Sequence, residues 1–181
     1  DARGTVFILH GYLDHAGLYR HLIRDSLQKG FAVVVPDLPG HGLSSGSRID
    51  IPDFDDYQMM LETLVRDYGE DLPAPWLAIG QSTGAAILMD HVLTDRADER
   101  RPFFASMLLL APLLRPTQWG QIRYGYWLMR HFRAAVPRVF RRNSSDAAFL
   151  RFVREDDPLQ ERWVPMGWET AMADQGLAIV A

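Results

Sequence analysis

Apolar runs bounded by turn residues alternate along this chain with segments of helical periodicity. The first two apolar runs are rich in β-branched residues, and each is closed by turn residues, which is typical of strands buried on both faces of a parallel sheet. Short loops between strand and helix predict right-handed βαβ units, and therefore an α/β fold whose mostly parallel sheet is flanked by helices. The runs that predict strands are 5–10, 31–37, 76–81, 104–113 and 177–181.

Three segments between these runs predict helices. Apolar residues recur at helical spacing over 18–27, and Gly30 is placed as the glycine just past a helix end. Asp53 is predicted to cap the next helix, whose apolar face runs over 57–68. The small apolar residues of 85–93 predict a third helix packed closely on the sheet.

The alternation stops after the fourth run. From about Arg115 to Asp174 no convincing strand is predicted, and the chain is aromatic, rich in arginine and mostly helical in pattern. An insertion of this length predicts a cap over the carboxyl edge of the sheet, where open α/β folds bind ligands. We divide the chain into an α/β core at 1–114, a helical cap at 115–174 and the start of the next core strand at 175–181. The prolines that interrupt the helical pattern are Pro137, Pro158 and Pro165.

Composition sets bounds on the function. With 181 residues, of which 48% are hydrophobic and 23% charged, the chain has the character of one soluble globular domain. A formal net charge of -4 gives no reason to expect binding to nucleic acid. The absence of cysteine excludes a disulfide framework, a thiolate nucleophile and a Cys-ligated zinc site. We predict neither a metal nor a cofactor.

The two ends of the sequence have the character of a segment, incomplete on both sides, because the chain opens inside one predicted strand and closes on another. No run approaches the roughly 18 apolar residues of a membrane span, and the first residues of the sequence have the pattern of a strand and not that of a signal peptide. We expect a cytoplasmic or peripheral membrane location, and the sequence does not indicate an oligomeric state.

The turn Gly80 to Gly84, GQSTG, lies between a predicted buried strand and a predicted apolar helix. A serine hydroxyl is an effective nucleophile when it is presented bare, beside a base and beside donors for an oxyanion. The G-x-S-x-G turn presents it on a strained bend, where a Cβ at either glycine would collide with neighbouring backbone. Ser82 is therefore the predicted nucleophile and the N–H of Thr83 a predicted oxyanion donor. Because the motif matches by chance in roughly one such chain in twenty, the prediction depends on this context.

Two further loops follow the first two predicted strands at the same sheet edge. In the loop 10–19 we expect the N–H of Tyr12 to be the second oxyanion donor. His10 and His15 are interpreted as structural histidines, because the base is expected after the nucleophile in chain order. The loop 37–46 is dense in Gly, Pro and Ser and is predicted to turn tightly. Its architectural or turn residues are Asp37, His41, Ser44 and Ser45.

Together the three stretches resemble the α/β-hydrolase superfamily, and within it the monoacylglycerol lipase and lysophospholipase branch. The resemblance implies Ser82 as nucleophile, the N–H groups of Tyr12 and Thr83 as the oxyanion hole, and a fatty acid ester as substrate. Gln81 and Thr83 stand where His and Met are common in such lipases. The positions that match the branch are His10, Gly11, His15 and Tyr19, then Asp37, Gly40, His41, Gly42, Ser44 and Gly46, then Gly80, Ser82 and Gly84.

The resemblance also implies an Asp or Glu after the strand that follows the cap, and a His later still. If 177–181 is that strand, the sequence ends before both residues. His91 faces away from the elbow on its helix, and His131 lies among arginines that disfavour its protonated form. Three cap aspartates are expected to be solvated or paired with arginine rather than catalytic. They are Asp146, Asp156 and Asp157.

The cap segment 119–140 combines aromatic residues with arginines. We expect it to line the substrate pocket, with Trp119, Tyr126 and Trp127 as pocket candidates. It is also suited to peripheral contact with an anionic membrane surface. The alternative is that its apolar side packs on the core while the arginines stay in water.

The leading hypothesis is a serine hydrolase that cleaves carboxylic esters, above all single-chain lipids such as monoacylglycerol or lysophospholipid, through an acyl-enzyme. Two alternatives stay open. An aminopeptidase or amidase on the same fold is favoured if acidic residues line the cap near the site. A non-catalytic α/β-hydrolase-like binding module is the other, although such a module has no need of a strained serine turn.

Overall fold

The computed structural model describes residues 1–93, 103–113, 124, 135–140 and 142–165. Four parallel strands form its main sheet in the order β2-β1-β3-β4, which confirms the predicted α/β fold. The strands are β1 (Thr5–Leu9), β2 (Ala32–Val34), β3 (Trp76–Gln81) and β4 (Ser106–Leu110). The connecting helices are α1 (Arg20–Gln28), α2 (Asp55–Tyr68) and α3 (Thr83–Leu93), with 3-10 turns at Ala16–Tyr19 and Gly69–Asp71.

The register of the sheet brings the functional loops together. Leu9 lies opposite Gly80, and Gln81 lies opposite Leu110. Because parallel strands end at the same edge, the segments that follow β1, β3 and β4 meet there. This edge holds the loop 10–19, hereafter the β1 loop, beside the turn that starts α3.

An aromatic and aliphatic core joins the sheet to α2 and α3. The Phe7 ring lies 5.6 Å from that of Trp76 and 5.2 Å from that of Phe104, measured between ring centroids. The buried amide of Gln58 links the two helices, because its Nε2 donates to the Ile87 carbonyl at 2.8 Å. The core cluster is Phe7, Leu9, Leu38, Ile51, Phe54, Tyr57, Leu61, Ala78, Ala86, Ile87, Leu88 and Phe104.

The helix ends follow the sequence signals. Gly30 has φ 82° two residues past the end of α1, as expected for a terminating glycine. The Asp53 carboxylate accepts a hydrogen bond from the Asp55 N–H at 3.0 Å, so it caps the first turn of α2 as predicted. None of the described helices is long and apolar enough to cross a bilayer.

The two outer strands, β2 and β4, are less buried than predicted, because the sequence pattern predicted strands that are buried on both faces. All three residues of β2 are half-buried, and in β4 the side chains of Leu108 and Leu110 are 53% and 41% exposed. Both strands lie at an edge of the described sheet, and no described element pairs with the free edge of β4. Of the two inner strands of the described sheet, β1 and β3, β1 is the one that is buried at every residue.

The described part of the cap contains strands as well as a helix, so the expectation of no strand over 115–174 is wrong. β5 (Ala135–Pro137) pairs antiparallel with β6 (Trp163–Pro165). Between them lie α4 (Ala147–Arg151) and a π-helical turn at Phe152–Asp156. Two of the prolines read as helix breakers instead end short strands, where a missing N–H is tolerated. Strands of three residues are too short to show the alternation that identifies them in a sequence.

Candidate active site

Ser82 occupies the turn between β3 and α3 with φ 51°. This is the left-handed region, which residues with a side chain adopt at a cost of about 1–3 kcal/mol unless their surroundings hold them there. Backbone hydrogen bonds to β4 and to the segment that follows β4 hold Ser82 in this conformation. The Ser82 N–H donates to the Leu110 carbonyl at 2.9 Å, and the Ser82 carbonyl accepts from the Leu113 N–H at 3.1 Å.

The glycines on either side of Ser82 allow close backbone contacts. A Cβ on Gly80 would lie 2.5 Å from the carbonyl oxygen of Gly84. A Cβ on Gly84 would lie 2.1 Å from the carbonyl oxygen of Leu9. Both distances fall well inside van der Waals contact with backbone atoms, and this is the collision that the motif predicts.

The amino end of α3 points its backbone donors to the same edge. Thr83 is the first residue of the helix, so its N–H has no partner four residues earlier within the helix. The N–H of Gly84 donates to the carbonyl of His10 at 3.1 Å, which ties the helix start to the β1 loop. The partial positive charge of this helix end favours negative charge beside Ser82.

The β1 loop packs directly against the elbow. A Cβ on Gly11 would lie 2.3 Å from Gln81 Oε1 and 3.3 Å from Ser82 Cβ. Tyr12, the predicted second oxyanion donor, follows at once, and its hydroxyl donates to the Ile49 carbonyl at 2.8 Å. The loop is thus held by the packing of Gly11 against the elbow and by the side chain of Tyr12, the residue whose N–H is expected to face the site.

The hydroxyl of Tyr19 connects this loop to the elbow. It accepts from the Gly11 N–H at 3.2 Å and donates to Gln81 Oε1 at 2.8 Å, and it also lies 3.2 Å from Asp14 Oδ2. Burial raises the pKa of the Asp14 carboxyl to about 6, while the Tyr19 hydrogen bond lowers it. In the sequence Tyr19 was only a position matching the lipase branch, because hydrogen bonds between distant segments leave no local pattern.

Both histidines of the β1 loop are held by hydrogen bonds, in agreement with a structural role. His10 Nδ1 donates to the Gly11 carbonyl at 2.8 Å, and its Nε2 accepts from the Leu38 N–H at 2.9 Å. Burial lowers the pKa of His10 to about 4, so the ring is neutral. His15 Nδ1 accepts from the Gly17 N–H at 3.2 Å, which leaves the proton on Nε2.

The loop 37–46 is organised by a carboxylate, as expected. Asp37 Oδ1 accepts from the Ala16 N–H at 2.7 Å and Oδ2 from the Leu43 N–H at 2.8 Å. The Ser44 hydroxyl donates to the Asp37 carbonyl at 2.6 Å. His41 Nδ1 donates to a backbone carbonyl, and burial lowers the pKa of this ring. The Nε2 atom of His41 is buried without a hydrogen-bond partner in the described part of the chain, but His41 is not among the residues that line the cavity.

One cap aspartate, Asp157, differs from expectation, whereas Asp146 is exposed to solvent as expected. Asp157 is buried and its Oδ2 accepts from His15 Nε2 at 2.8 Å, so its partner is a histidine and not an arginine. Asp146 caps α4 by accepting from the N–H groups of Ala148 and Phe149 at 2.9 and 3.0 Å. Neither role is visible in the sequence, because one needs the cap docked on the core and the other needs the helix start.

Of the remaining residues that were considered as a base or as part of the pocket, His91 lies within the described residues and the others do not. The His91 ring stacks on Phe103, 4.7 Å between ring centroids, and burial lowers its pKa. It is part of the packing of α3. The other candidates lie outside the described residues, namely His131, Trp119, Tyr126 and Trp127.

A cavity of about 830 Å³ lies between the elbow, the β1 loop and the cap. The core contributes Gly11, Tyr12, Leu13, Asp14, Leu18, Tyr19, Gln81 and Ser82 to its lining. The cap contributes apolar side chains such as Val139, Phe149 and Leu150 together with several arginines. The described lining contains no histidine, and no described cluster of His, Asp or Glu is suited to a metal ion.

A parallel sheet that delivers a strained serine into a strand-to-helix turn, beneath a cap and at the mouth of a cavity, defines an α/β-hydrolase. Residues 1–179 match the model of the Hydrolase_4 family, described as serine aminopeptidase, S33, and the chain belongs to this family.

Its relatives include monoacylglycerol lipases, which confirms the resemblance to that branch. The monoacylglycerol lipase of Mycolicibacterium smegmatis is 36% identical over 92 residues, which cover 50% of this chain and 33% of that protein. Human monoglyceride lipase is 34% identical over 113 residues, covering 62% of this chain and 36% of that protein. The chain thus spans about a third of the length of these curated relatives.

A solved structure shows the same fold over nearly the whole chain. The crystal structure of Paleococcus ferrophilus monoacylglycerol lipase matches with a TM-score of 0.73 at 20% identity. The match covers 95% of this chain and 65% of that one.

Proposed function

We propose that the protein is a serine hydrolase that cleaves carboxylic esters of single-chain lipids, with Ser82 as its nucleophile. The observation that carries the proposal is the φ of 51° at Ser82, on a turn that lines the cavity. A strained, non-glycine residue persists where surrounding contacts over-determine it, and such positions concentrate at active sites. Here the contacts come from β4 and from the close approach of Gly84 to β1.

The reaction follows from the groups around this serine. Ser82 Oγ would attack the ester carbonyl, and the oxyanion would form beside the N–H groups of Tyr12 and Thr83, at the positive end of α3. Collapse of this intermediate expels the alcohol and leaves the acyl group on Ser82, and water then releases the acid. Since the described lining contains no histidine, we assign the general base to none of the described residues.

Two observations support a lipid ester as substrate. The cavity is of the size that proteins use for small organic ligands, and both its core and cap walls carry apolar side chains. The relatives reported above are named as monoacylglycerol lipases. The pocket role of Trp119, Tyr126 and Trp127, and contact of the cap with a membrane, stay predictions.

An aminopeptidase is the second candidate, because the family description names that activity. A peptide with a free amino terminus needs a carboxylate near the nucleophile. The described lining holds two carboxyl groups, Asp14 and Glu155, against four arginines, so it disfavours a cationic substrate. The lining charge therefore ranks the ester above the peptide.

The test is covalent labelling of the full-length protein by a fluorophosphonate probe. Wild type and Ser45→Ala, an exposed serine in the loop 37–46, should label equally, and Ser82→Ala should not label. The labelled protein is then assayed with monooleoylglycerol and with an aminoacyl anilide. Labelling that persists in Ser82→Ala would refute the nucleophile, and hydrolysis of the anilide alone would favour the aminopeptidase.

A further inference from the structure

The cap wall of the cavity is rich in positive charge. Four arginines line it, whereas the carboxyl groups that line the cavity are those of Asp14 and Glu155. None of these arginines forms an ion pair with a described carboxylate. The arginines are Arg138, Arg142, Arg151 and Arg154. The chain as a whole is acidic, so this concentration of positive charge is local.

Arg138 differs from the other three because its side chain is half-buried. Burial lowers the pKa of its guanidinium, which reflects the cost of removing the charge from water. Its hydrogen-bond acceptors are neutral, the Gln160 side-chain oxygen and the Glu161 carbonyl, and it lies 4.4 Å from the centroid of the Phe140 ring. By contrast, Arg48 is paired with the Glu161 carboxylate at 2.7 Å. Arg138 is thus a half-buried cation that forms no ion pair with a described carboxylate, although the charges of Asp14 and Asp157 oppose the lowering of its pKa.

The position of Arg138 would place a bound anion in the cavity that the proposed nucleophile lines. Arg138 lines the same cavity as Asp14 and Tyr12 of the β1 loop. Tyr12 is the residue whose N–H is the proposed oxyanion donor. A negative group bound at Arg138 would therefore lie in the same cavity as an ester carbonyl at Ser82.

We propose that the preferred substrate carries a phosphate next to its ester, as a lysophospholipid does, and that Arg138 binds this phosphate. The inference rests on the proposed function of Ser82. A guanidinium offers two parallel N–H donors to phosphate oxygens, a geometry that lysine does not reproduce. The three exposed arginines raise the local concentration of anionic substrate, and the apolar part of the cavity accepts the single acyl chain.

The experiment compares two substrates that differ in the phosphate head group. The kcat/KM of the full-length protein is measured for 1-oleoyl lysophosphatidylglycerol and for monooleoylglycerol, both diluted in micelles of the same neutral detergent. We expect the phosphate ester to be preferred by about 10-fold or more, as charge-assisted hydrogen bonds allow, with a preference that falls as NaCl is added.

Arginine variants then show which residues are responsible for the preference for the phosphate ester. Arg138→Gln should raise the KM for the phosphate ester and so lower the ratio of kcat/KM for the phosphate ester to kcat/KM for monooleoylglycerol about 10-fold or more. Arg66→Gln, an exposed arginine on α2 remote from the lining, should change neither. Arg151→Gln, an exposed member of the cluster, should weaken the preference by a few-fold, and it carries the test if Arg138→Gln has a lowered unfolding midpoint.

The outcomes separate this inference from the proposed function. Equal kcat/KM values for the two esters in the wild type, or a preference that survives in both Arg138→Gln and Arg151→Gln, would overturn the phosphate site. In that case monooleoylglycerol hydrolysis that is lost in Ser82→Ala would still uphold the esterase. If neither ester is hydrolysed in a way that depends on Ser82, the proposed function fails.

Discussion

The contact between Asp157 and His15 is the most specific link between the described cap and the core, and removing it makes a sharp prediction. Asp157 is 4% exposed. Its Oδ2 accepts from His15 Nε2 at 2.8 Å and from Gln160 Nε2 at 3.1 Å, while its Oδ1 accepts from the Leu159 N–H at 3.0 Å. In Asp157→Ala all three donors lose their acceptor.

The size of the effect follows from these three hydrogen bonds. A hydrogen bond of this kind contributes about 1 kcal/mol net, and a buried donor left unpaired costs at least that much. His15 and Gln160 are 6% and 7% exposed, so water compensates them poorly. We expect Asp157→Ala to lower the free energy of unfolding by about 3 kcal/mol. Asp156→Ala, an exposed neighbour on the same turn, should change it by less than about 0.5 kcal/mol.

Two measurements on the full-length protein check this. Urea unfolding gives the loss of free energy, and amide hydrogen exchange should show faster exchange in α4 and the β1 loop of Asp157→Ala, because the lost contact joins these two segments. Equal unfolding free energies for Asp157→Ala and Asp156→Ala, with unchanged exchange in α4, would refute the argument that this carboxylate fastens the cap.

Three further predictions address the site. Tyr19→Phe should lower kcat about 10-fold with little change in KM, because its hydroxyl positions the oxyanion loop, whereas the exposed Tyr68→Phe should have no effect in the same esterase assay. Burial raises the pKa of Asp14 from 3.8 to about 6, so the folded carboxyl binds its proton more tightly than the unfolded one and stability falls by up to about 3 kcal/mol as pH rises from about 4 to 6. Asp14→Asn should flatten this part of a urea-unfolding pH series, and a slope equal to that of Asp71→Asn, an exposed control, would contradict it. Gly84→Ala should destabilise the protein by about 3 kcal/mol or more, since its Cβ would lie 2.1 Å from a backbone oxygen of β1, and a thermal midpoint near that of wild type would show that the elbow can relax.

The helices and strands of the core could be predicted from the sequence because the interactions that determine them are local. The runs that became β1 and β3 combine β-branched and apolar residues with turn signals at both ends, and α3 follows a glycine-flanked serine at once. The requirement for glycine at positions 80 and 84 arises from the turn itself, so a short sequence motif is enough to predict it. Local causes of this kind leave local patterns.

The cap illustrates the opposite case. β5 and β6 have three residues each, and the residues that pair between them are more than 20 positions apart in sequence. Neither an alternating pattern nor a hairpin turn in the sequence therefore predicts them. Asp157 was expected to be solvated or paired with arginine, as most cap aspartates are. It became buried against His15 because the folded cap brings position 157 to position 15.

The amino-acid sequence was sufficient for the order of strands and helices in the described core, the strained serine turn and the family resemblance, because propensity, periodicity and steric limits act between near neighbours. The hydrogen bonds of Tyr19, the raised pKa of Asp14 and the half-burial of Arg138 depend on long-range packing. Burial, charge and hydrogen bonding are set by what lies nearby in space, and the chain reaches those neighbours only when it folds. The conformation of the elbow is therefore predicted by one short motif, whereas the lining of the cavity around it is formed by residues that are more than 100 positions apart in sequence.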